Sequence, residues 1–191
     1  MLIVCEGEVT EIEYFAGIRD HFRSLPVEIR DCKLIGLGRD PAAIVGYAVR
    51  ERDRKNREAR SQRDAAIAYD EVWCVVDVDD HKTLDQALTT AHRERVDLVV
   101  STPCFELWIL YHFEEYAAAC DQERVRRRLG RHIKDYDKHL GRDFPFSRHE
   151  LARERAERMD PDHYEPNRKG RNPSTNVWLV VDAIRRSGRD R

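Results

Sequence analysis

Charged residues make up 37% of this 191-residue chain, and 34 Lys plus Arg nearly balance 36 Asp plus Glu, giving a formal net charge of −2. That balance excludes a globally basic nucleic-acid binder, so any nucleic-acid contact must use local patches. The five cysteines are odd in number and show no CxxC spacing, which argues against a disulfide framework or a zinc site and fits buried thiols in a reducing cytosol. No apolar stretch approaches the roughly 20 residues of a bilayer span and there is no charged-then-apolar leader, so the expectation is a soluble, cytoplasmic protein without a membrane partner.

In chain order, Leu2-Ile3-Val4-Cys5 reads as a strand closed by Glu6. The chain thus begins almost inside that strand, as a start trimmed upstream would leave it. Gly7 allows a tight turn, and Thr10 is placed to cap a helix carrying Ile12, Tyr14, Phe15, Ile18 and Phe22 at helical spacing. Val27 to Ile35 reads as a second strand ended by Gly36 and Gly38, and Pro41 opens a helix with Ile44, Val45, Ala48 and Val49. Arg50 to Asp64 is almost devoid of apolar residues and mixes both charges, the pattern of a solvated helix extension or loop, with a phosphate-tracking arm as the other reading.

Glu71 to Asp79 is nearly continuous in apolar residues, as in a strand covered on both faces of a parallel sheet. Thr83 to Arg93 then reads as a crossover helix and Val96 to Val100 as a fourth strand, which together imply right-handed βαβ units. Pro103 starts a helical pattern through Phe105, Leu107, Trp108, Leu110, Tyr111 and Phe113, and no convincing strand follows. Later helices are expected at Glu123 to Leu140, Arg148 to Met159 and Ser174 to Arg186, with a turn-rich link from Asp160 to Pro173. Phe105 and Trp108 read as core, and His112 as a packed residue.

Glu6 ends the first strand, and Asp77 and Asp79 end the third. Ligands bind in the crevice beyond the carboxyl ends of parallel strands, so three acids delivered there can meet around one divalent cation. The Asp-x-Asp spacing puts two carboxylates on one side of an extended strand end. Carboxylates without a matching set of His and Cys favour Mg²⁺ or Mn²⁺ over Zn²⁺. Asp80 either joins this group or caps the next helix, and His81 is near enough in sequence to reach it. Glu106 reads either as a helix-dipole acid or as a further ligand or substrate-orienting group at the same sheet edge. Arg168, Lys169 and Arg171 stand just before Asn172-Pro173-Ser174-Thr175, where free backbone N–H groups at a helix start, with Ser174, would attract a substrate phosphate. A solvent-exposed loop capped by Ser174 is the plainer reading. The run Arg124, Arg126, Arg127, Arg128, Arg131 reads as a solvated helix face, with nucleic-acid contact as the other reading.

Cys5-Glu6-Gly7-Glu8 paired with Asp77-Val78-Asp79 resembles the Toprim signature. With Thr10-Glu11-Ile12-Glu13-Tyr14-Phe15, Ser101-Thr102-Pro103-Cys104-Phe105-Glu106-Leu107-Trp108 and Asn172-Pro173-Ser174-Thr175-Asn176-Val177, the ordered blocks resemble the RloB family over most of the chain. That resemblance implies an α/β Toprim-like domain: a mostly parallel sheet of about four strands flanked by helices, with a core over about residues 1–116 and a C-terminal helical extension over about 117–191. It also implies a nuclease component of bacterial anti-phage systems, encoded beside an ATPase partner. Many Toprim nucleases carry an acid four positions after the first glutamate. Here that position is Thr10, and Glu11 either takes over the role or serves only its helix N-terminus.

The expected activity is Mg²⁺-dependent cleavage of a phosphodiester in DNA or RNA. Asp77 and Asp79 would hold metal, Glu6 would serve as ligand or general base, and Lys169 or Arg171 would neutralise developing charge. Toprim-type nucleotidyl transfer is the enzymatic alternative, and a non-catalytic regulatory module of an ATPase complex is the third.

Overall fold

The computed structural model describes residues 1–23, 27–31, 40–78 and 83–187, with Arg30 and Asp31 described in backbone only. Four strands run parallel, β1 (Leu2–Cys5), β2 (Glu28–Asp31), β3 (Val72–Asp77) and β4 (Asp97–Thr102), and β5 (Ser174–Thr175) closes the sheet antiparallel, in the order β2-β1-β3-β4-β5. The intervening helices are α1 (Thr10–Phe22), α2 (Pro41–Gln62) and α3 (Leu84–Glu94), followed by α4 (Glu106–Tyr111), α5 (Gln122–Leu129), α6 (His149–Met159) and α7 (Trp178–Ser187). The protein is therefore α/β, with a mostly parallel sheet flanked by helices and a helical C-terminal region.

Strand alternation sorts the core onto the two faces of the sheet. Ile3, Cys5, Trp73, Val75 and Val99 pack under α1 and the later helices, with Phe15, Trp108 and Val180. Leu2, Val4, Val72, Cys74, Val76, Leu98 and Val100 pack under α2 and α3, with Ile44, Ala48, Ala87 and Ala91. Period-two side-chain direction makes both faces apolar, which is why the strands read as continuous apolar runs. Cys5, Cys74 and Cys104 are buried, as their apolar neighbours imply. Among the described residues no helix is long and apolar enough to cross a membrane.

Two boundaries differ from the sequence reading, at Leu129 and at Ser174; of the other two, one settles an open alternative and one lies partly outside the described residues. The Arg50–Asp64 stretch is a helical extension of α2 to Gln62, and Arg52, Arg54 and Lys55 pair with Glu94, Asp53, Glu51 and Glu58. The helix expected over Glu123 to Leu140 stops at Leu129, and turns follow. The second strand is seen over Glu28–Asp31, and its expected continuation to Ile35 and Gly38 lies outside the described residues. The helix expected from Ser174 begins only at Trp178, because Ser174 and Thr175 are spent on β5. A two-residue strand carries no periodicity of its own; Ser101 and Thr102 recruit it by register, and the hydroxyls of Ser101 and Thr175 meet at 2.9 Å.

The outer edge of β4 is otherwise closed by asparagines. Asn167 Oδ1 accepts from the Leu98 N–H at 2.9 Å, and Asn176 Oδ1 accepts from the Val100 N–H at 2.8 Å while its Nδ2 donates to the Glu165 carbonyl. An uncovered edge would present these N–H groups unpaired. Asn176 is fully buried, so Asn176→Ala leaves a buried donor and a carbonyl unsatisfied. A loss of about 1–3 kcal/mol in urea unfolding is expected. A loss below about 0.5 kcal/mol would show that the edge is held without it.

Candidate active site: an acid cleft at the strand ends

The carboxyl ends of β1 and β3 are tied together by their own acids. The Glu6 N–H donates to the Val75 carbonyl at 2.9 Å, and the Glu6 carboxylate accepts the Asp77 N–H at 3.0 Å. Asp77 in turn accepts a hydrogen bond from the Phe105 N–H, which faces it because β4 and α4 are joined by the short turn through Pro103. Glu106 opens α4 and Glu11 stands in the first turn of α1. Both are buried, as is Glu6. The result is a small cleft lined by Glu6, Glu11, Asp77 and Glu106, with Gly7, Glu8, Val9 and Thr10 along its floor and side, and Arg126 and Lys138 at its rim.

Crowding sets the proton affinity of these groups. Burial, then Glu106 and Glu6, push the Glu11 carboxyl up to about 7, against the opposing pull of its own backbone N–H and of Lys138. Burial, then Glu11, Glu6 and Glu106, hold Asp77 well above the usual carboxylate range. Glu11 and Asp77 are raised by their acidic neighbours because like charges in a poorly solvated site disfavour joint ionisation.

Gly7 makes this arrangement possible. A Cβ on Gly7 would lie 1.9 Å from Glu11 Oε2 and 2.0 Å from its Cδ, so the Glu11 carboxyl occupies the space where a side chain at position 7 would stand. Thr10 does not cap α1, whose N-cap is Val9. Its hydroxyl instead donates to the Lys138 carbonyl at 2.8 Å and meets the Tyr136 hydroxyl at 3.0 Å. Of the two readings of the Thr10-Glu11 pair, the geometry brings Glu11 into the cleft and spends Thr10 on a distant loop.

The other sequence candidates fall into three groups. Asp79, Asp80 and His81 lie outside the described residues. Glu106 is in the cleft and ion-paired to Arg126 Nε at 3.1 Å. Arg168, Lys169 and Arg171 are exposed, Ser174 is buried, and none of the four lines the cleft. Their loop is folded on itself: the Arg171 N–H donates to Asp160 Oδ2 at 2.9 Å, and His163 Nε2 lies 3.0 Å from the Arg168 carbonyl. A Cβ on Gly170 would sit 2.1 Å from Ser174 Oγ and 2.4 Å from His163 Nδ1, so this packing also requires glycine. His112 is buried between Tyr14 and the Trp108 carbonyl, and burial lowers its imidazole to about 3, as suits a packed residue.

Two residues that face the cleft escaped the sequence reading. Arg126 was one of five arginines in a run that looks solvated, and nothing marked it except its place one turn after Gln122. Lys138 lies in the segment that reads as helix, 127 positions from Glu11, and no local pattern connects the two.

The donor set suits a hard divalent cation, since every acid in the cleft offers oxygen and an ion would reverse the crowding that raises Glu11 and Asp77. Among the described residues no three His, Cys, Asp or Glu side chains are gathered tightly enough to hold an ion between them as they stand. Asp79, which the sequence pattern groups with them, lies outside the described residues.

An α/β protein with an acid-lined cleft at the carboxyl edge of a mostly parallel sheet is the class these features define. The chain belongs to the RloB-like protein family, whose description matches residues 1–184 and so spans both the sheet and the helical region. No curated protein and no solved structure matches it.

The raised carboxyls make a stability prediction for the metal-free protein. A carboxyl whose folded pKa lies above its unfolded value stabilises the fold below the unfolded pKa, and that contribution is lost as pH rises through the folded one. For Glu11 the window runs from about pH 4.5 to about pH 7. In EDTA, Glu11→Gln should therefore gain on the wild type as pH rises from 5 to 8, by on the order of 1–3 kcal/mol. A constant difference across that range would show that Glu11 ionises without strain.

Proposed function

We propose that this protein is a metal-dependent phosphodiesterase acting on nucleic acid, of the Toprim nuclease type. The observation that carries the reading is the meeting of Glu6, Glu11, Asp77 and Glu106 in one cleft at the strand ends, where the Glu6 carboxylate takes the Asp77 N–H. Glu6, Asp77 and Asp79 would hold Mg²⁺ or Mn²⁺. A divalent cation there supplies polarisation of a phosphoryl oxygen and a lowered pKa for bound water.

The chain's own part is orientation and proton handling. The Phe105 N–H and the Glu6–Asp77 hydrogen bond fix two carboxylates relative to the sheet before any ligand arrives, so little reorganisation is left for the reaction. The Glu11 carboxyl, raised to about 7 in the metal-free protein by burial and by Glu106 and Glu6, would ionise when a cation enters the cleft and then stand beside it as an acceptor for a proton. Glu106 holds Arg126 at the rim of the cleft. The family resemblance supports a role in bacterial anti-phage defence with an ATPase partner, and on that reading the substrate is DNA or RNA.

The test is cleavage of plasmid DNA, single-stranded RNA and tRNA in Mg²⁺ or Mn²⁺, with and without the product of the neighbouring gene. Cleavage should vanish in EDTA and fall at least about 100-fold in Asp77→Asn, the scale expected when an electrostatic catalytic group is lost. The variant should melt no lower than the wild type in EDTA, because it removes one of the mutually repelling acids. Cleavage unaffected by EDTA and by Asp77→Asn would refute the proposal, and pyrophosphate release from nucleoside triphosphates would replace it with nucleotidyl transfer.

A further inference from the structure

Lys138 reaches the cleft through a tether built from the first turns of α1. Thr10 Oγ1 holds the Lys138 carbonyl and the Tyr136 hydroxyl, while Glu13 Oε2 accepts the Leu140 N–H at 2.9 Å and Glu13 Oε1 meets His139 Nδ1 at 2.5 Å. Leu140 and Phe144, just beyond, are buried in the core, so the loop is anchored on both sides of the lysine. Four successive contacts to one helix turn are more than a passing surface loop needs.

The backbone at Lys138 has φ +83°, a region that side chains other than glycine rarely adopt and that persists where the surroundings enforce it. Glycine would sit there without cost, yet the chain places a lysine. Among the described residues Lys138 forms no ion pair, although it lines the cleft and lowers the proton affinity of Glu11. Arg126 is engaged by Glu106, and Arg52, Arg54 and Lys55 are engaged along α2. Lys138 is thus a cation delivered to a strongly acidic cleft and left available for an incoming anion.

We infer that Lys138 is the residue that receives the substrate phosphate at the acid cleft, and that Thr10 and Glu13 are the positioning residues that hold it there. The inference rests on the proposed phosphodiesterase reading and deepens it. The acids alone would repel a phosphodiester. A lysine ammonium near the cleft offsets that repulsion where a cation beyond a Debye length of about 8 Å would not. The positive site is thereby built from the helical region and the negative site from the sheet, and α1 joins them. This places phosphate contact away from Arg168, Lys169 and Arg171, which do not line the cleft.

The experiment measures binding of a fluorescein-labelled single-stranded oligonucleotide, as DNA and as RNA, by anisotropy across a salt series in Ca²⁺, alongside cleavage in Mg²⁺. Lys138→Gly relaxes the backbone and so retains the fold, and Lys138→Arg keeps the charge. Lys138→Gly should weaken binding about 3- to 10-fold and flatten the plot of log affinity against log salt by roughly one unit for the lost phosphate contact. Lys138→Arg should restore both, and Thr10→Val should fall between. Asp77→Asn should abolish cleavage while the salt-slope difference between wild-type Lys138 and Lys138→Gly persists in that background.

Lys138→Gly with wild-type affinity and slope, in a protein that loses cleavage through Asp77→Asn, overturns the inference and leaves the phosphodiesterase reading intact. If Lys169→Ala with Arg171→Ala flattens the slope instead, the phosphate contact belongs to the loop before β5 and the inference is again overturned. Undiminished cleavage by Asp77→Asn would remove the reading on which it rests.

Discussion

Four acids gathered at the carboxyl edge of the sheet, two from strand ends and two from the first turns of α1 and α4, crowd one another, and much of the surrounding structure is arranged to contain that crowding. Two unit charges about 4 Å apart interact by roughly 4 kcal/mol at the effective dielectric of a protein surface, comparable to a sizeable part of a domain's net stability of 5–15 kcal/mol. The containment is visible piece by piece. The Asp77 and Phe105 N–H groups point at carboxylates, Arg126 pairs with Glu106, and Lys138 lies beside Glu11. Gly7 yields its side-chain volume to Glu11. A fold that needed only stability would replace these acids, since unfavourably raised carboxyls weaken it near neutral pH. Their presence argues for a ligand that reverses the repulsion.

The helical region is where the compensation comes from. Arg126 on α5 and Lys138 in the following loop both arrive from beyond the last parallel strand, and Thr10 and Glu13 on α1 receive that loop. The helical region therefore completes the cleft rather than standing apart from it. The family match over residues 1–184 covers sheet and helical region together, as it should if the two share a site.

Sequence patterning revealed what repeats or alternates. The apolar runs of β1, β3 and β4 and the helical spacing of α1, α3 and α6 were legible because each strand or helix face announces itself within a few residues. Glu6, Asp77 and Glu106 were legible because strand ends in a parallel sheet share one edge. What escaped depends on contacts distant in sequence. β5 is two residues long and exists only through its register with Ser101 and Thr102. The turns from Gly130 onward replace a helix whose charged face looked continuous, because Tyr136 and Lys138 are drawn to Thr10 across more than 120 residues. Conversely, the basic loop at Arg168 to Arg171 looked like a phosphate cradle from composition alone. In the structure its backbone is occupied by Asp160 and His163, and the neighbouring Asn167 closes the edge of β4. A glycine beside three cations reports tight packing as readily as anion binding.

The central claim is that the acid cleft is a divalent-cation site, and calorimetric titration of Mn²⁺ into the metal-free protein at pH 7 tests it most directly. Run in buffers of different ionisation enthalpy, the titration also counts protons. Glu11 is raised to about 7 and Asp77 lies well above its usual range, so a cation that requires ionised ligands must displace protons. The account predicts saturable binding, net proton release at pH 7 that diminishes by pH 9, and loss of both in Asp77→Asn. Absence of Mn²⁺ binding, or binding that Asp77→Asn leaves unchanged, would contradict it.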